Sequence, residues 1–256
     1  MRVPRDLLLS VLSPVLLLTL WEAGARMGWV DVRFFPAPSA IMRELIEMLA
    51  SGELWGHVGV SHTRIAIGYC LGAAPGIVIG IAMGLSAGLR AVVQPIVHAT
   101  FPIPKVAILP LLILMLGLGE ASKYAIIAIS VVYLVLINTH EGVRQINPIH
   151  FDVARNFGAS RWLLFRDVAL PGALPQILAG LKTSLGVALL VIVAAEFVGA
   201  KSGIGYLIWN SWQIFAVEKM YVGLLATAVL GFVSAGMFEL AERLLVPWRP
   251  AARAST

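Results

Sequence analysis

Side chains able to carry chemistry are few in this chain, and they are dispersed. Lys105 and Glu196 are the two charges set inside apolar runs. An ionised group there costs about 2.5–3.5 kcal/mol on insertion scales, so both are expected to face protein or water rather than lipid. Lys105 has two readings, a place along a solute path or a structural lysine; Glu196 either pairs with nearby Lys201 or contributes to a gate. The five histidines at 57, 62, 98, 140 and 150 are scattered, without metal-ligand spacing. His98 alone falls in an apolar run, where a hydrogen-bonded packing role is expected. Ser130 and Ser184 have no base at helical spacing, as nucleophilic catalysis requires. No carboxylate pair shares one helix in the manner of a proton relay. Cys70 is the single cysteine; it forbids an intrachain disulfide and is expected to be a small buried packing residue. Gly-x-x-x-x-Gly-Lys-[Ser/Thr] is absent, so the chain has no loop to cradle the phosphates of ATP, and no cofactor is expected in it.

One polar segment has a regular pattern. Asp152-Val153-Ala154 is followed by Arg-Asn-Phe157-Gly158, then by nine residues, then by Val168-Ala-Leu170-Pro171. The pattern predicts a short helix over 148–157, stopped by Gly158 in the left-handed conformation, and a second helix ending near Pro171. Val153, Ala154 and Phe157 give this knuckle an apolar face, while Arg155, Arg161 and Arg166 keep it wet. Such a face outside the bilayer needs a partner surface to cover it.

The elements that must position these residues are dictated by composition. Of 256 residues, 59% are apolar and 13% charged, with a mean hydropathy of +0.88. An ordinary soluble domain is about 45–50% apolar and about 25% charged, so there are too few ions here to cover a water-facing surface. A soluble enzyme and a disordered chain are both excluded. Six apolar runs qualify as membrane helices: 7–25, 65–85, 92–118, 124–139, 178–198 and 221–246. The fourth is short and could begin earlier, with Lys123 snorkelling to the interface. The first also fits a signal peptide, but Trp21 and Glu22 stand where short neutral residues belong, and it is read as a retained span.

With the N-terminus inside, six crossings put Arg2, Arg5, Arg90, Arg144, Arg155, Arg161, Arg166, Lys182, Arg243, Arg249 and Arg253 on the cytoplasmic side, eleven of nineteen basic residues. Arg26, Arg33, Arg43, Arg64, Lys123, Lys201 and Lys219 lie outside. This bias favours cytoplasmic termini and accounts for the net charge of +5 without nucleic acid. The chain is one transmembrane domain, 1–256, with a core of about 61–246. Outside the spans lie an amphipathic helix over 36–52, with Ile41, Leu45, Met48 and Leu49 on one stripe, a cytoplasmic loop over 140–177, and an aromatic-rich return over 199–220.

Two spans are unusual. Gly68, Gly72, Gly76, Gly80 and Gly84 recur every fourth residue and form a slowly winding ridge that lets another backbone approach closely; helix packing or a path lining would both use it. Pro95, Pro102, Pro104 and Pro110 cannot sit in one regular helix, so the third run must break, with carbonyls freed for protein or water to satisfy. Pro102, Pro104, Lys105 and Glu196 are the candidate path or gate residues.

The segment beginning at Asp152 resembles the "EAA" signature of ABC-importer permeases: Glu-Ala-Ala, three residues, Gly, nine residues, then Ile-x-Leu-Pro. Asp152 and Val153 depart from it; Ala154, Gly158, Leu170 and Pro171 keep it. Phe35-Pro-Ala-Pro-Ser39, Phe101-Pro-Ile-Pro-Lys105, Gly117-Leu-Gly-Glu120 and Ala195-Glu-Phe-Val-Gly-Ala-Lys-Ser-Gly-Ile-Gly-Tyr206 extend the resemblance to the nitrate, sulfonate, taurine and bicarbonate group, across nearly the whole chain. The resemblance implies an all-α membrane protein of the six-helix, type I, MetI-like fold in a bacterial inner membrane. It implies a homodimer forming the path, a pair of ATPase subunits holding ATP and magnesium and docked on the loop around Gly158, and a periplasmic binding protein delivering a small organic anion. A pyrimidine thiamine precursor, riboflavin or an aromatic carboxylate is the alternative solute within the same group. A secondary carrier would need coupling-ion ligands and repeated halves, and an intramembrane enzyme a nucleophile with its base; the sequence offers neither.

Overall fold

The computed structural model describes residues 5–246, with side chains from residue 9 onward except at 11. Arg2, Arg249 and Arg253, counted above among the cytoplasmic cations, lie outside the described residues, as does the Arg5 side chain.

The described chain is helical. The first apolar run forms α1 (Arg5–Arg26). The stretch after it leads to α2 (Pro38–Ser51), ended by Gly52 at φ +82°, and to α3 (Glu53–Leu85). The third run is broken as its prolines require: α4 (Ala87–Thr100), a 3-10 turn over Lys105–Ile108 and α5 (Leu109–Leu116), with an 88° bend between the two arms. The fourth starts earlier than its apolar stretch and is a full span, α6 (Glu120–Arg144). Then come α7 (Pro148–Asn156), α8 (Arg161–Leu163), a π-helical turn over Leu164–Ala169, α9 (Leu170–Phe197), α10 (Ile204–Gln213) and α11 (Val217–Leu245). Among the described residues α3, α6, the continuous stretch Arg161–Phe197 and α11 are each long and apolar enough to cross a membrane, and the bent pair α4 and α5 adds a fifth.

The expectation that the second loop helix ends near Pro171 is corrected. Helix runs on through Pro171 into α9. Proline at 171 has no N–H for an α-helical bond four residues back, and the preceding turn is widened instead: Leu170 N–H donates to Phe165 O, five residues back.

Two compact units divide the chain. One comprises residues up to 60 with 201–227. Its core is Ile41, Met48, Leu54, Leu207 and Val222, with Trp21, Leu45 and Tyr221 packed on it. The α2 stripe therefore faces protein, although Leu49, expected on it, is exposed. Glu22 of α1 accepts hydrogen bonds from Ser39 N and Oγ at 2.9 and 2.7 Å, which ties α2 to α1. The aromatic return contains α10, where the Trp209 and Trp212 rings lie 4.9 Å apart.

The other unit comprises 61–200 and 228 onward. Its centre is α6, whose Ile126, Ile127, Val131 and Val135 are buried with Ile65 and Ala73 of α3 and Leu185, Ala188 and Ile192 of α9. The glycine ridge of α3 packs here. A Cβ built on Gly68, Gly72, Gly80 or Gly84 would fall 2.4–2.7 Å from the nearest atom of Ile127, Ala128, Thr139 or Val143, and one on Gly76 would lie 3.0 Å from Val132 and Val135. No side chain larger than hydrogen fits at such distances, so the ridge is a packing surface inside the chain. Cys70, expected to be buried, is exposed. His98 is likewise exposed on α4, without the packing role expected of it.

Candidate functional site

The loop knuckle is built from local signals. Asn147 Oδ1 accepts from Ile149 N at 3.0 Å, and Pro148 occupies the first turn of α7, so the helix start is fixed by a cap and a preset φ. At the other end Gly158 has φ +78°. Gly158 N donates to Arg155 O at 2.9 Å and Ala159 N to Ala154 O at 3.0 Å, the paired bonds of a Schellman cap. Ser160 then caps the next turn, its Oγ accepting from Leu163 N. Three residues thus end one helix and start another, leaving no slack between them.

The faces of this knuckle differ. Phe151, Phe165 and Leu170 pack toward Ile81, Val143, Ala169, Ala173 and Ile177, anchoring it to α3, α6 and α9. The opposite side is apolar and open: Phe157 is 88% exposed, and Ile149, Val153, Trp162 and Leu163 are exposed with it. Trp162 stacks on Phe165 at 5.3 Å. Asp152 is exposed and lies 3.4 Å from Arg155. Ala154 and Val168 are half-buried, and Val168 and Pro171 line a cleft of about 310 Å³ with Ile146 and His150. Sequence reasoning missed Ile149, Trp162 and Leu163; their signal was apolar residues between arginines in a segment too polar to span.

At the opposite end of the same helices lies a charged cluster. Glu196 of α9 is 1% exposed. Its partner is Arg64 of α3, Nη1 to Oε1 at 2.8 Å, with the Ser61 hydroxyl donating to both carboxylate oxygens at 2.8 and 2.9 Å. This corrects the expected pairing with Lys201: the guanidinium is already buried beside the carboxylate, and a buried charge needs a partner in contact. The other edge of Arg64 makes a two-pronged bond to Glu120 of α6, Nε to Oε2 and Nη2 to Oε1, both at 2.6 Å. The Glu120 side chain is 48% exposed, so it is the one member of the cluster open to its surroundings. Lys123 does not snorkel. It is buried, and its Nζ donates to Leu118 O and Gly119 O at 3.1 and 2.9 Å, closing the carbonyls ahead of α6. Arg64 and Glu120 were missed because their partners are far away in sequence.

Lys105 lies in the elbow of the bent pair. Its ammonium donates to Thr100 O, Phe101 O and Ile103 O at 3.0, 2.8 and 2.9 Å and sits 4.5 Å from the centre of the Tyr133 ring. All three protons are used. Pro102 and Pro104 form the exposed corner, and Pro104 is the reason Thr100 O has no helical donor. The hydrogen bonds described for Lys105 and those of the Arg64 cluster share no residue.

The comparisons with known proteins follow this geometry. Residues 76–246 match the family described as binding-protein-dependent transport system inner membrane component. The chain is 36% identical to a Bacillus subtilis protein, SsuC, over 94% of this chain and 87% of that one, and 34% identical to Escherichia coli SsuC over 93% and 90%; both are named for aliphatic sulfonates transport as permeases. It is 32% identical to the E. coli taurine transport system permease protein TauC, over 95% and 90%. Among solved structures, the inward-facing MetNI methionine ABC transporter superposes with a TM-score of 0.62 at 18% identity, covering 75% of this chain and 94% of that one. The fold is therefore that of MetI-like permeases.

Proposed function

The chain belongs to the binding-protein-dependent transport system inner membrane components, the permease subunits of ABC importers, and from that membership we propose how it works and what it carries. The solute is a small organic anion, a sulfonate such as taurine, handed over by a periplasmic binding protein. Two copies of the chain enclose the path. The termini and the knuckle lie on the cytoplasmic side, where two ATPase subunits, holding ATP and magnesium, dock on the knuckles.

The observation that carries this reading is Phe157, 88% exposed on a rigidly capped helix. Leaving Ile149, Val153, Phe157 and Trp162 open costs hydrophobic free energy that a partner cleft recovers, at about 25 cal/mol per Å² covered. When the ATPase pair closes on ATP, the knuckle follows without bending, because the cap at Gly158 and the Ser160 turn leave no free joint. Phe165 and Leu170 carry the displacement into the core shared with α6 and α9. A motor biases inward-open against outward-open states only through contacts that differ between them, and the knuckle supplies those contacts.

The test is uptake of labelled taurine into proteoliposomes holding the permease, its ATPase and its binding protein. Phe157→Ala lowers uptake at least tenfold and weakens ATPase retention, while the variant inserts and melts like the parent; Gly158→Val abolishes uptake. Normal coupled transport in both variants overturns the docking assignment, and uptake that no sulfonate competes for overturns the solute class.

A further inference from the structure

The elbow between α4 and α5 lies deep in the membrane. Tyr133, whose hydroxyl donates to Thr100 Oγ1 at 2.9 Å, stands midway along the 25-residue span α6. By Thr100 the chain has already climbed the 14 residues of α4, about 21 Å. The hydrocarbon layer is about 30 Å thick, so residues 101–104 sit inside it. They are not helical, and all four are exposed.

Irregular backbone at such a depth is tolerated only against protein or a water-filled cavity, because lipid offers a carbonyl no donor. Lys105 answers three carbonyls of the elbow. The Pro102 carbonyl accepts no hydrogen bond among the described residues, and Pro102 itself is open. The exposed row continues past the corner. Ile103, Val106, Pro110 and Leu114 follow one another at three- and four-residue steps, all exposed, while Leu109 and Leu112 turn into the core shared with α6 and α9. Leu114 is the most open of the row, at 82%.

We propose that this row lines the solute path, the Pro102 carbonyl facing its water and Leu114 closing it against its own counterpart in a second copy. Lipid does not fit at the elbow, since it leaves the carbonyl unanswered. On a two-fold axis a lining residue meets its equivalent. A narrowing walled by leucine expels water and so shuts a path without any charge. The inference rests on the permease reading and adds which surface of the chain carries the solute.

The test uses proteoliposomes holding the permease, its ATPase and its binding protein, in a Cys70→Ser background that removes the chain's one thiol. Ile103→Cys and Leu114→Cys react with methanethiosulfonate ethylsulfonate, a charged reagent confined to water, at least tenfold faster than Phe232→Cys, an equally open position on α11. Copper phenanthroline joins Leu114→Cys chains into disulfide-linked dimers. Leu114→Ser lets labelled sulfate, a small anion that needs no recognition to pass an open pore, leak without ATP at least tenfold faster than the parent. Reaction at 103 no faster than at 232 overturns the path assignment, and this comparison decides alone if the Leu114 variants fail to assemble. A tight Leu114→Ser chain, or Leu114→Cys chains that do not cross-link, overturns the closing role. Fast reaction at 103 and 114 together with uptake that no sulfonate competes for upholds the lining and overturns the solute class instead.

Discussion

The unit centred on α6 has two ends that solve opposite problems. At one, Arg64 joins the carboxylates of Glu120 and Glu196 and so fastens α3, α6 and α9 together through buried charge. At the other, the same three helices support a knuckle whose outer face is hydrocarbon left open. Charge is used where the contact is internal and permanent, since a buried ion left alone is very costly. Under the proposed function, hydrocarbon is used where the contact is to be made and altered against another molecule, since its attraction is non-directional and tolerates sliding.

The sharpest way to break this contrast is at the charged end. Glu196→Ala takes away a carboxylate that faces buried Arg64 and should destabilise the chain by about 3–5 kcal/mol, seen as a large drop in melting temperature in detergent. A melt unchanged within error removes the clasp from the account. Lys105→Met removes the ammonium from Phe101 O and Ile103 O, and from Thr100 O, which keeps Ile103 N, and should cost about 1–3 kcal/mol. If the lysine served the solute instead, uptake would fall while the melt stayed put.

Changes at the knuckle end should be smaller in stability and larger in transport. Gly158→Ala has open space for its Cβ, so its cost is confined to the backbone at φ +78°, about 1–2 kcal/mol. Gly158→Asn, which tolerates that conformation, should recover much of the loss in both melt and uptake. Ser160→Ala removes the cap of the following turn and should cost about 1 kcal/mol; uptake should fall more than the melt suggests, and proportional losses would make the knuckle a stability element only.

The two ends also differ in how plainly the sequence announced them. The knuckle was legible because its signals are local: a proline and Asn at the start of α7, a glycine at its end and Val153 and Phe157 between. The broken third run was legible for the same reason, four prolines within sixteen positions. The clasp was not legible: Glu196 and Arg64 are 132 residues apart, and the nearer cation, Lys201, offered a false partner. The glycine repeat predicted close approach but not its target, because a row of missing side chains says nothing of the surface it meets. Continuation of helix through Pro171 was hidden because a proline stops a regular helix, while a widened turn absorbs it.

The glycine row carries a mechanical corollary. Moving α3 along α6 by one residue would bring Tyr69, Ala73, Ile77, Ile81 and Leu85, or in the other sense Ile67, Leu71, Pro75, Ile79 and Met83, to sites where even a methyl carbon collides. A four-residue jump, about 6 Å, realigns four of the five glycines and sets Arg64, or the chain beyond the helix end at Leu85, at the remaining site. The two helices are therefore indexed like gear teeth and translate together rather than sliding past each other.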